Sequence, residues 1–117
     1  MIIVSNVEIN SILHTILSKA VTSIDSNSVC IIKSNYSDWT LDFYGTTGKT
    51  FATKSHKPYE LIFDIRRYIK ELGLSEFIKI ELVRAHENYA LLKINHENIT
   101  EEEFDKYITL CKLYGFY

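Results

Sequence analysis

Residues 38–44 (Asp-Trp-Thr-Leu-Asp-Phe-Tyr) alternate polar and apolar side chains without interruption. In a β-strand, Trp39, Leu41 and Phe43 would therefore lie on one face and the remaining side chains on the other. A strand with one apolar face and one polar, solvent-exposed (wet) face is typical of an antiparallel sheet that is covered mainly on one side. This stretch predicts an α+β fold built around such a sheet.

The composition predicts one domain spanning residues 1–117. A chain of 117 residues with 46% hydrophobic side chains buries enough surface to fold without a metal or a disulfide. The net charge of −2 predicts no general affinity for nucleic acid or membranes, although residues 59–117 carry 8 basic and 11 acidic side chains. Because the sequence has neither a signal peptide nor an apolar run of membrane-spanning length, we expect a cytoplasmic protein.

Capping and turn residues predict the order α-β-β-β-α-β-β-α, with neighbouring strands paired as a meander. Ser5 with Glu8 and Thr100 with Glu103 form capping boxes that begin the first and third helices. Gly73 is placed to end the second helix in a left-handed conformation. The strands are predicted around residues 29–32, 38–44, 50–53, 78–83 and 89–94, and Gly115 is expected to end the last helix.

No residue pattern predicts catalysis or a cofactor. Residues 45–50 (Gly-Thr-Thr-Gly-Lys-Thr) end like a phosphate-binding loop, but the first glycine of that motif is replaced by Phe43 and a strand is predicted to follow. The four histidines are scattered, and no set of residues has metal-ligand spacing. Cys30 and Cys111 lie in apolar runs and are expected to be buried, reduced and inert. We therefore expect no catalytic, metal or cofactor site.

The wet face of the sheet is the best candidate for a binding surface. Asp38 and Asp42 lie on one face of a strand, and Tyr44, Tyr89 and Leu91 are expected to point to the same side. Aromatic and aliphatic side chains surrounded by charges are typical of a protein interface. A single-stranded nucleic acid platform would also need a basic stripe, which the sequence lacks. A solvated sheet face is the alternative interpretation.

Three stretches within residues 8–97 define the layout of the chain: the Trp39-Thr40-Leu41-Asp42-Phe43-Tyr44 strand before a Gly loop, the helix at residues 59–67 and the hairpin that ends at residues 92–95. This layout, over most of residues 8–97, resembles the immunity proteins of bacterial polymorphic-toxin and contact-dependent growth inhibition systems, in particular the YezG-like group. The resemblance implies a small cytoplasmic protein without a reaction of its own, which binds a cognate toxin and blocks its active site or substrate path. The toxin is expected to be a nuclease.

The sequence therefore predicts a protein-binding module whose partner is a toxin domain, with no nucleic acid or membrane partner. Another cytoplasmic protein-binding or regulatory module is the alternative, and the oligomeric state stays open. Glu101 and Glu102, in the first turn of the third helix, are expected either to complement the helix dipole or to add acidic contacts to the interface. The predicted toxin-binding residues are Asp38, Asp42, Tyr44, Tyr89, Leu91, Glu101 and Glu102.

Overall fold

Three helices and four strands follow one another in the order α-β-β-α-β-β-α in the computed structural model, which describes residues 2–24, 28–45, 57–86, 89–113 and 115. The elements are α1 (Asn6–Ile24), β1 (Ser28–Asn35), β2 (Asp38–Gly45), α2 (Lys57–Glu71), β3 (Ile78–His86), β4 (Tyr89–His96) and α3 (Glu101–Leu113). This arrangement confirms the predicted α+β class with an antiparallel sheet packed against helices. The predicted strand at 50–53 lies outside the described residues. The predicted glycine loop at 45–48 also lies outside them, except for Gly45.

The four strands form one antiparallel sheet in the order β1-β2-β4-β3. The predicted pairing of neighbouring strands as a meander is therefore wrong at the centre of the described sheet, where β2 pairs with β4 and not with β3. Each half of the described chain supplies one helix followed by one hairpin, and the second strands of the two hairpins meet in the middle. From either edge of the sheet, the first strand of a hairpin is followed by its second strand, so the two hairpins are arranged symmetrically.

Side-chain caps fix the starts of the first and third helices, as predicted. The Glu8 backbone N–H donates to Ser5 Oγ at 3.4 Å, and the Ser5 N–H donates back to Glu8 Oε2 at 3.4 Å. At α3, the Glu103 N–H donates to Thr100 Oγ1 at 3.3 Å, and the Thr100 hydroxyl donates to Glu103 Oε1 at 2.9 Å. These bonds satisfy backbone donors that have no partner inside the helix.

The second helix ends in a Schellman motif. The Leu74 N–H donates to the Ile69 carbonyl and the Gly73 N–H to the Lys70 carbonyl, both at 3.0 Å. Gly73 has a φ of +74°, a left-handed conformation that glycine adopts without a steric penalty. Leu74 is buried behind it. The predicted stop at Gly73 is therefore confirmed, and α3 ends two residues before Gly115, which also has positive φ.

The core lies between the helices and one face of the sheet. α1 packs against α2 and β1, and α2 packs against β3. The apolar stripe of α1 is buried at helical spacing, which matches the period of about 3.6 residues that places such side chains on one side. The fully buried side chains of largest volume are Trp39, Phe43, Leu13, Ile16, Leu17, Leu41, Leu61, Ile65, Leu72, Leu74, Leu92 and Ile94.

Candidate functional site

One face of β2 is sealed and the other is accessible, as the alternating sequence predicts. Trp39, Leu41 and Phe43 are at most 2% exposed, whereas Asp38 is exposed and Asp42 is partly exposed. Both α1 and α2 lie on the Trp39 side, with the buried side chains of the core. Within the described part of the chain, no helix covers the opposite side, which we call the open face.

The strand register arranges the open face in rows that run across the sheet. Residues directly opposite on neighbouring antiparallel strands have Cβ atoms about 4.5–5.5 Å apart, so the members of a row are in contact range. From one end of the sheet to the other, the rows are Ile31–Asp42–Tyr89, Lys33–Thr40–Leu91–Arg84 and Asn35–Asp38–Lys93–Glu81.

Apolar side chains concentrate at one end of the open face. Ile31 is 45% exposed and its row contains the partly buried Tyr89. Val29, the next residue along β1 on this face, is 53% exposed. Val83, at the β-bulge between Leu82 and Arg84, is 50% exposed but lies nearer the middle row, outside this apolar end. Apolar side chains on an accessible sheet face are the kind of surface that a protein partner covers.

Charges at the other end alternate in sign. Lys93 lies opposite Asp38 on one side and opposite Glu81 on the other. Lys33 and Arg84 flank the middle row. Opposite charges directly across a sheet stabilise it modestly, whereas like charges would repel. The open face therefore has a balanced charge, and the acidic excess of residues 59–117 does not collect on it.

The predicted interface residues fall into two groups. Asp38, Asp42, Tyr89 and Leu91 all lie on the open face, within the rows defined above. Tyr44 pairs with Val29 through the backbone of the same hairpin, but its side chain lies outside the described part of the structure.

Glu101 and Glu102 lie elsewhere. They line a shallow depression of about 440 Å³ together with Ile2 and Thr100. The Glu101 N–H donates to the Ile2 carbonyl at 3.0 Å, which holds the start of α3 beside the N-terminal segment. The structure therefore gives these two glutamates no contact with the open face.

Val29 and Ile31 belong to the candidate surface although sequence reasoning did not identify them. Residues 29–32 are all apolar, so alternation cannot tell which of them face the core. Only the position of β1 at the edge of the described sheet, paired with β2 in this register, places Ile31 opposite Asp42. Cys30 and Ile32 pack against the core from the same strand.

Neither cysteine has the properties of a nucleophile. Both thiols are free. Burial, together with the nearby negative charge of Asp42, raises the pKa of the Cys30 thiol to about 12, and burial raises the pKa of Cys111. Because the thiolate is the reactive form, both groups are protonated and inert at neutral pH.

This shift predicts an alkaline dependence of stability. A thiol whose pKa is higher in the folded than in the unfolded state stabilises the fold fully below its unfolded pKa, and that contribution disappears as pH rises towards the folded pKa. We expect the free energy of unfolding to fall between pH 9 and about 12, and to fall less steeply in Cys30→Ala. Urea denaturation at each pH measures both slopes. Identical slopes for the two proteins would contradict the assigned burial of Cys30.

The described residues contain no group of three or more His, Cys, Asp or Glu side chains placed to hold a metal ion. None of the helices in the described ranges is both long and apolar enough to cross a bilayer. No protein-family model, curated protein or solved structure matches the chain.

Proposed function

We propose that this protein is an immunity protein, which binds a cognate bacterial toxin through the open face and neutralises it. The observation that carries the proposal is the sheet itself: helices bury one face, while the other presents Ile31, Tyr89 and Leu91 among charges that are matched across the strands. Aromatic and aliphatic residues inside a polar rim are the usual organisation of a protein–protein interface.

The shape of the open face favours a protein partner over a small molecule. Small-molecule sites are concave and enclose most of their ligand, whereas this surface is one side of a four-stranded sheet. Thr40 and Leu91 separate Lys33 from Arg84 in the middle row, and Lys93 lies between Asp38 and Glu81. These basic side chains therefore do not form the continuous basic stripe that nucleic acid requires. The surface is thus suited to a partner with mixed charges of its own.

The area of the open face limits what it can do alone. Four strands spaced about 4.8 Å apart and eight residues long cover roughly 500 Å² in projection. A stable interface buries about 800 Å² on each partner. A contact of that size would use the whole open face, and a neighbouring surface of this protein could enlarge it.

The immunity role rests on the resemblance in layout described above. An inhibitor of this class acts in the cytoplasm, performs no reaction and covers the active site or the substrate path of its toxin. A nuclease site is basic because it binds phosphate, and Asp38 and Asp42 are the open-face carboxylates that would approach such a site first. The association should consequently be faster at low ionic strength.

A second candidate is another cytoplasmic protein-binding or regulatory module. The balanced charge of the open face favours it, because an inhibitor specialised for a basic nuclease site would gain from an acidic surface. Genomic position separates the two candidates, since an immunity gene lies beside the gene of its toxin.

The proposal is tested by co-expression. The C-terminal domain encoded by the adjacent reading frame is expressed in bacteria with and without this protein, and colony-forming units are counted. We expect growth to be restored only when the protein is present. Equal killing in both cultures, with this protein present at normal levels, would refute the immunity role.

A further inference from the structure

A polar depression of about 420 Å³ lies next to the charged end of the open face. It forms where the start of α1, the turn between β1 and β2, and the end of β4 meet. The Ile94 N–H donates to the Ser37 carbonyl at 2.8 Å, which ties the turn to β4. The residues that line it include Asn6, Asn10, Tyr36, Asn95, His96 and Asn98.

The chemistry of this depression differs from that of the open face. No carboxylate, lysine or arginine lines it among the described residues. Its four asparagine amides each offer both donors and an acceptor, and none of them makes a side-chain hydrogen bond to another residue in the described ranges. Such a lining suits an uncharged partner that presents donors and acceptors together, as the exposed main chain of a protein loop does.

The backbone conformation of Tyr36 is a second observation at this depression. It occupies the first of two central positions in the β1–β2 turn, where its φ is +57°. Positive φ at the first central position of a two-residue hairpin turn is normally supplied by glycine, asparagine or aspartate, because a tyrosine is strained there. Tyr36 is nevertheless 91% exposed. Packing of its side chain therefore does not explain why a tyrosine occupies this strained position. The tight turn requires the positive φ but does not require tyrosine, so a strained and exposed tyrosine points to a role in function and not in folding.

We infer that the toxin contact continues from the open face around this turn, with Tyr36 as an anchor and the asparagine amides binding an uncharged loop of the toxin domain. The inference rests on the proposed function and adds the surface around the turn to the contact on the open face. Asn35 and Asp38 join the turn directly to the charged row of the sheet. Tyrosine, serine and asparagine together are also the residues that antibody paratopes use, because tyrosine offers a large rigid contact and asparagine adaptable hydrogen bonds.

The test compares the stability and the binding of the same variants. The probe is the catalytically inactivated toxin domain encoded beside this protein's gene, titrated by calorimetry. Tyr36→Gly should raise the midpoint of thermal unfolding by about 3 °C, because it relieves the strained φ, and should weaken binding about 10-fold. Tyr36→Phe, which keeps the ring, should bind within about 3-fold of the natural protein. Phe63→Ala, which removes an exposed aromatic side chain on α2, is the control and should leave binding unchanged.

Opposite changes in stability and affinity for Tyr36→Gly support the inference. Unchanged affinity in Tyr36→Gly, with normal binding by the natural protein, would overturn the inference and leave the proposed function intact. Equal loss of affinity in Tyr36→Gly and Phe63→Ala would also overturn it, since the effect would not be specific to the turn. Absence of binding by the natural protein would refute the proposed function and, with it, this extension of the contact.

Discussion

Replacing Trp39 by alanine is expected to lower the free energy of unfolding by about 3–5 kcal/mol. Trp39 is 2% exposed and sits between Ser34 of β1 and Leu92 of β4. Because β2 is paired on both edges at this point, the backbone cannot move inward to fill the space that the indole leaves. Urea denaturation followed by circular dichroism measures the loss, since the chain contains no second tryptophan to report by fluorescence.

Asp38→Ala is the matched control for this prediction. It changes the preceding residue of the same strand, whose side chain is on the open face. Surface substitutions of this kind usually alter the free energy of unfolding by at most about 0.5 kcal/mol. A loss of similar size in the two variants would contradict the division of β2 into a buried and an open face.

Leu91→Glu is expected to weaken binding of the inactivated toxin domain about 30-fold, which corresponds to about 2 kcal/mol. Leu91 lies in the middle row of the open face, between Thr40 and Arg84. In the complex, a carboxylate at this position would be removed from water at the centre of an apolar contact. In the free protein it remains accessible beside Arg84, so the fold should tolerate it. Calorimetric titration measures the affinity.

Phe63→Glu provides the comparison for Leu91→Glu. Phe63 is 67% exposed on α2, in the helical layer on the other side of the sheet. The substitution adds the same charge in place of an apolar side chain but should leave the affinity within about 3-fold, because the surface lies outside the proposed contact. If Phe63→Glu weakened binding as much as Leu91→Glu, the partner would have to dock on the helices.

Local chemistry determined which features could be predicted from the sequence. The capping boxes at Ser5 and Thr100 and the left-handed stop at Gly73 depend on residues within one turn of each other, and all three are confirmed. The two faces of residues 38–44 depend only on alternation, and the burial of Trp39 confirms them. These features require no knowledge of the rest of the fold.

Features that depend on which strands meet could not be predicted in this way. The pairing of β2 with β4 joins residues that are about fifty positions apart, and nothing in either strand encodes the choice of neighbour. The charge balance of the open face follows from that pairing, because it places Lys93 between Asp38 and Glu81. The positive φ of Tyr36 could not be predicted for a different reason: the positions of a two-residue hairpin turn that need positive φ are normally occupied by glycine, asparagine or aspartate, and not by tyrosine.

The central position of β2 also affects the order in which the molecule can be completed during synthesis. One edge of β2 has no strand partner until Tyr89–His96 has been translated. Until then the first helix and hairpin carry an incomplete core, and an apolar strand edge stays available to other chains. Translation of β4 is therefore the step after which β2 can pair along both edges and join the two hairpins into one sheet.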